Sequence, residues 1–84
     1  MEMAEVEKKV KKVVSEVFRV SEDKLKRETD FVDDLHAKSM QMVELIAALE
    51  LEFGFRIPQR EVRENKTVGQ AIDYMYKKTK QFKK

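Results

Sequence analysis

Val6, Val10, Val13, Val14, Val17 and Phe18 recur at the spacing of one helix face, with Lys and Glu on the other side. This predicts a first helix over 4–18. The period is lost between Val20 and Leu35, a polar, interrupted stretch whose apolar anchors are Leu25, Phe31 and Leu35. It reads as a long loop with at most one helical turn, and loops of such length in compact domains are often functional. The helical period returns at Ser39. Met42, Leu45, Ile46, Leu49 and Phe53 share one face of a second helix that ends near Phe53, and Gly54 follows as its C′ residue. Ile57-Pro58 then breaks the chain, and Pro58 suits the first turn of a short third helix running to Arg63. Thr67 and Gln70 make a capping-box signature, after which Val68, Ala71, Ile72 and Met75 form the stripe of a fourth helix. The Lys-rich segment 77–84 is expected to fray.

With two Gly, one Pro and no strand alternation, the expected fold is all-α: three longer helices, one short one, and a long loop between the first and second. Its predicted core is Val10, Val14, Phe18, Leu45, Ile46, Leu49, Phe53, Ile57, Val68, Ile72 and Met75. The second helix carries a further signal. Met40, Glu44, Ala47 and Leu51 fall opposite its core stripe, so apolar groups and a carboxylate face outward. Scattered exposed apolar residues are the plain alternative to a binding face.

A chain of 84 residues is one domain's worth, residues 1–84, and too short for two cores. The absence of Cys excludes disulfides, thiolate metal sites and a cysteine nucleophile, and a single His excludes a multi-histidine metal cluster. No apolar run approaches the roughly 20 residues of a membrane span. The start Met1-Glu2-Met3-Ala4-Glu5 has neither the basic nor the apolar part of a signal peptide, so a cytoplasmic location is expected.

The net charge of +2 conceals segregation. Residues 28–53 hold seven acids against Lys38 alone, whereas residues 54–84 hold nine bases against three acids. The acidic block suggests a basic partner. The basic end, with a pI near 8.9, raises a small helical nucleic-acid-binding domain as a rival. Against it, the best-formed helix is acidic outside and would repel a phosphate backbone.

The segment Asp33-Asp34-Leu35-His36-Ala37-Lys38-Ser39-Met40-Gln41-Met42-Val43-Glu44-Leu45 resembles the attachment site of acyl carrier proteins, in which a loop runs through a serine into the second helix. The likeness continues through Phe53-Gly54-Phe55-Arg56-Ile57-Pro58 and Thr67-Val68-Gly69-Gln70-Ala71-Ile72-Asp73-Tyr74, covering roughly Val6 to Met75. It implies an acyl carrier protein-like four-helix bundle in which Ser39 receives 4′-phosphopantetheine from coenzyme A through a separate Mg²⁺-dependent phosphopantetheinyl transferase. It further implies a non-catalytic, monomeric carrier of acyl thioesters for fatty acid, lipid or polyketide-type biosynthesis. Acyl-loading and acyl-processing enzymes would dock on Lys38, Met40, Val43, Glu44, Ala47, Glu50 and Leu51. An opening between the second and third helices, with Met42 moving aside, would admit the acyl chain. A peptidyl or aminoacyl carrier shares the fold and the arm and is the alternative.

The residues themselves agree. A serine where a loop enters a helix presents its hydroxyl to solvent and a phosphodiester to free N–H groups and the positive dipole end. Ser is also an ordinary N-cap residue, which is the competing account of Ser39. It lacks the base and orienting group of a hydrolase nucleophile. Two positions depart from the family. Lys38 stands where Asp usually precedes the serine, which alters the contact with the transferase and sets a cation beside the phosphodiester. His36 stands where Gly is common, three positions before the serine, and reads as a loop residue near Asp33 and Asp34. Leu51 replaces a frequent acid, so the docking face is poorer in charge and richer in apolar surface.

Overall fold

The computed structural model describes residues 1–81, and within them the regular structure is helical. Four α-helices follow in order: α1 (Met3–Phe18), α2 (Ser39–Phe53), α3 (Gln59–Arg63) and α4 (Val68–Gln81). Helix α1 packs on both α2 and α4, and the five-residue α3 leans on α2.

Helix α1 buries Val6, Val10, Val13 and Val14 and pairs Glu7 with Lys11 one turn on, at 3.1 Å. It stops at Arg19, which turns left-handed (φ 58°) and returns its N–H to the Ser15 carbonyl, the usual way a helix end satisfies its last acceptors. The Ser15 hydroxyl donates to the Val20 carbonyl and holds the chain as it leaves. The long loop that follows contains one 3₁₀ turn, Glu22–Lys24, capped by Ser21. Leu25 and Phe31 are buried as anchors, and the Phe31 ring lies 6.0 Å from that of Phe18.

This loop is sewn to the start of α4. Phe31 N–H donates to the Lys66 carbonyl and Val68 N–H to the Thr29 carbonyl, both at 2.9 Å, forming one antiparallel bridge between Asp30 and Thr67. Gly69 N–H reaches the Arg27 carbonyl at 2.9 Å, and a Cβ at position 69 would sit 2.8 Å from that same oxygen. Glycine is thus required here for close approach. The Arg27 guanidinium adds a 2.6 Å contact to Asp73.

Helix α2 buries Leu45, Ile46 and Leu49 and ends at Gly54 (φ 80°). Thr67 and Gln70 form the predicted reciprocal cap of α4, with Gln70 N–H on the Thr67 hydroxyl at 3.2 Å and Thr67 N–H on Gln70 Oε1 at 3.3 Å. Two expectations are revised. Phe18 and Phe53 are half-buried at the edge of the core, while Val6, Val13, Val62 and Ala71 complete its interior. The basic segment does not fray from Lys77, because α4 continues to Gln81. Lys78 there pairs with Glu61 at 3.1 Å, and the Lys78 and Lys80 ammonium groups lie over the Tyr74 and Tyr76 rings. Cations in a last turn also suit the helix dipole. Residues 82–84 of that segment lie outside the described residues.

Candidate functional site

The chain approaches α2 through a turn organised by Asp30. Its Oδ1 accepts the N–H groups of Val32 and Asp33, each at 2.8 Å, and Asp34 Oδ2 accepts the N–H of Asp30 at 2.7 Å. His36 then adopts φ 54°, and Ala37 N–H closes on the Phe31 carbonyl at 2.8 Å. The left-handed step at His36 explains why glycine suits this position.

Lys38, not Ser39, is the N-cap of α2. Gln41 Oε1 accepts the Lys38 N–H at 3.0 Å. An ammonium has no lone pair to return the favour, so the cap is half made. Ser39 occupies the first helical position, and the plain N-cap reading of it does not hold. The amides of Ser39, Met40 and Gln41 open the helix with no preceding intrahelical acceptor, and they point the positive end of the backbone dipole outward.

Ser39 is exposed, and its hydroxyl has no hydrogen-bond partner among the described residues. The other two serines are committed: Ser15 donates to Val20 within the end of α1, and Ser21 accepts the Asp23 N–H at 3.3 Å. A phosphodiester on Ser39 would meet the free amides of α2 and the exposed Lys38 ammonium, so the residues present fit such a group.

Of the residues expected to dock partners, Met40 is 79% exposed, Val43 41% and Leu51 87%, with Glu44, Ala47 and Lys38 exposed as well. Glu50 differs from that group. It is half-buried, and its carboxylate accepts the Ile57 N–H at 2.8 Å, fixing the turn between α2 and α3. Ala47, Glu50 and Leu51 with Gly54, Phe55 and Arg56 line a shallow, largely apolar depression at the C-terminal half of α2.

A groove of about 540 Å³ opens beside Ser39 and is floored by Phe31, Val32, Ala37 and Met42. The same groove is lined by Arg63, Asn65 and Lys66, which sequence reasoning does not place at the site. No local spacing announces them. They arrive through the Asp30–Thr67 bridge, a pairing of loops that hydrophobic periodicity cannot show. Among the described residues, the groups with displaced titration lie elsewhere, at the α3–α4 contact. There Tyr74 is pushed upward by burial and by its hydrogen bond to Glu61, and Glu61 is held below its usual range by Tyr74 and Lys78.

The family model described as phosphopantetheine attachment site matches residues 8–75, from the first turns of α1 to the middle of α4.

Proposed function

Because the chain belongs to the phosphopantetheine attachment-site family, a family of carrier domains modified covalently on a serine, we propose that it is an acyl carrier protein whose arm is attached at Ser39. The observation that carries the assignment is that Ser39 alone among the three serines offers a free, exposed hydroxyl, and does so at a helix start. In the modification the Ser39 Oγ–phosphorus bond forms as the pyrophosphate link of coenzyme A breaks. The nucleotide leaves as the 3′,5′-bisphosphate, and the hydroxyl proton passes to a base of the transferase. Once attached, the arm supplies the thiol on which acyl groups ride as thioesters. The protein's own part is to expose Ser39, to balance the phosphodiester with Lys38 and the α2 amides, and to offer the face Met40, Val43, Glu44, Ala47 and Leu51 to enzymes.

The apolar depression around Leu51 and Phe55 supports docking by a partner with a complementary apolar knob, since Leu51 is almost fully exposed. Met42, half-buried at the groove floor, supports admission of the acyl chain between α2 and α3, because methionine repacks easily. Fatty acid, lipid or polyketide-type synthesis is the setting we assign.

The test is incubation with coenzyme A and a phosphopantetheinyl transferase of broad specificity, read by intact mass. Wild type gains one phosphopantetheine and Ser39→Ala gains none. A gain retained in Ser39→Ala would remove the assignment.

A further inference from the structure

Helix α3 is thinly held. Of its five residues Val62 alone is buried, and its backbone bonds are long, with Val62 N–H on the Pro58 carbonyl and Glu64 N–H on the Glu61 carbonyl, each at 3.3 Å. It borders two open spaces. One is the groove beside Ser39, at Arg63, and the other is a hollow of about 380 Å³ at Glu61, which Tyr74, Lys77 and Lys78 of α4 also line. Among the described residues, the side-chain hydrogen bond and the ion pair that join α3 to α4 end on one atom. Glu61 Oε1 accepts the Tyr74 hydroxyl at 2.7 Å and the Lys78 ammonium at 3.1 Å.

The two donors differ in how far they can follow a moving carboxylate. The Tyr74 ring packs against the core and its hydroxyl moves only with it, whereas Lys78 carries its ammonium on a flexible four-carbon stem. That ammonium is kept close, lying over the Tyr74 ring at 5.6 Å from its centre. Glu61 is 45% exposed, but both donors are sheltered, Lys78 at 17% exposed and Tyr74 half-buried, so water replaces the contact poorly at the donor end. Helix α4 has anchors of its own. It packs on α1, buries Val68, Ala71, Ile72 and Met75, and is sewn at its start to the long loop. An outward shift of α3 therefore breaks the Glu61–Tyr74 bond first and leaves a half-buried hydroxyl without its acceptor.

We propose that Glu61 and Tyr74 are the clasp of a gate: they hold α3 shut, with Lys78 as the flexible member, and release of Glu61 lets residues 58–65 move off the bundle and widen the passage between α2 and α3. The inference rests on the reading of Ser39 as the attachment point and of that passage as the way in for the cargo. The clasp then sets how long an acyl chain must be to enter. Opening costs the same for every cargo, while the apolar area that entry removes from water grows with chain length.

Two measurements on the full chain test the gate. Before loading, hydrogen exchange at the backbone amides of Val62 and Asn65, which bond to the Pro58 and Val62 carbonyls, reports the opening of α3. Tyr74→Phe keeps the ring and should speed both by about tenfold. Glu61→Leu should speed them at least as far, and the double variant should match Glu61→Leu, since one clasp is broken only once. Val10→Ala loosens the core on α1 and should leave both amides unchanged. Equal acceleration in Val10→Ala would mean that α3 opens only with the whole bundle, and it overturns the gate, as do unchanged rates in Tyr74→Phe. After loading, butyryl- or octanoyl-phosphopantetheine is placed by transferase from the coenzyme A thioester, confirmed by intact mass, and cleaved with hydroxylamine. Tyr74→Phe should slow cleavage of the octanoyl thioester by roughly threefold or more and leave the butyryl thioester as in wild type. Equal octanoyl rates overturn the gating of cargo while leaving the carrier reading intact. A chain that gains no mass at Ser39 overturns both.

Discussion

Arg19 and His36 hold the left-handed conformation at φ 58° and 54°, a region that L-residues with a Cβ enter at a cost of about 1–2 kcal/mol. Glycine enters it freely but loses more chain entropy on folding, by about 0.4–1 kcal/mol. The balance favours glycine at both sites. Arg19→Gly should raise stability by about 0.5–1 kcal/mol in urea denaturation, with no change in the slope. His36→Gly should act in the same direction. Gly69 presents the opposite case. Its φ is ordinary, yet a Cβ there would meet the Arg27 carbonyl oxygen at 2.8 Å, and backbone cannot step aside as a flexible side chain can. Gly69→Ala should therefore cost about 1–3 kcal/mol, in the range of overpacked interiors. The sequence made Gly54 legible as a helix stop because it follows a periodic run. It could not mark Gly69, whose constraint comes from a segment 42 positions away.

At the scale of elements, α3 is short and is held by its neighbours rather than by its own hydrogen bonds. It buries Val62, and Glu61 ties it to α4 by accepting the Tyr74 hydroxyl at 2.7 Å and the Lys78 ammonium at 3.1 Å. Glu61 titrates below its ordinary 4.5, chiefly through the Tyr74 hydrogen bond and then that of Lys78. Its contribution to stability is thus complete above the ordinary carboxylate range and is lost as pH falls through the lowered value. Tyr74 is raised above its ordinary 10.0, first by burial and then by Glu61. Its contribution is complete below 10 and is lost as pH rises beyond it. In Tyr76→Phe, where Tyr74 is the sole tyrosine, phenolate absorbance should appear only above the usual phenol range. Adding Glu61→Gln should lower that midpoint, though not fully, because burial remains. An unmoved midpoint would show that Glu61 does not hold the hydroxyl in solution. This contact also explains why the end of α4 is ordered where the sequence alone predicts fraying. Lys77 to Lys80 look like a solvated tail when read alone, and the partners that order Lys78 and Lys80 are Glu61 on α3 and two rings one turn back on α4.

Over the whole molecule, the helices and most of the core follow from periodicity, since each stripe must be buried against another in a chain of this size. Ser39, the proposed attachment point, is legible because its signal is local, a family-like motif on a loop that runs into a helix. The presence of Arg63, Asn65 and Lys66 beside it is not, because it depends on how two loops meet.

Charge is distributed with the same disregard for sequence order. Two acids of 28–53, Asp30 and Asp33, and two bases of 54–84, Arg63 and Lys66, line one groove together with Lys38. Lys38 is the position where this balance bears most directly on function, and two effects of changing it must be separated. Replacing Lys by Asp changes the charge beside Ser39 by two units, and it also gives α2 the side-chain cap it lacks, which is worth about 0.5–2 kcal/mol. Lys38→Ser supplies a cap with only one unit of charge change. If electrostatic steering toward a basic transferase surface governs modification, the rate should rise from wild type through Lys38→Ser to Lys38→Asp. The spread should narrow at high salt, where exposed charges are screened within roughly 10 Å at 0.1 M and less above it. If a better-formed helix start governs it, Lys38→Ser and Lys38→Asp should gain equally and salt should not matter. Initial rates by intact mass at two ionic strengths, set beside denaturation midpoints for the three proteins, decide between them. Identical rates for all three would remove Lys38 from the choice of transferase.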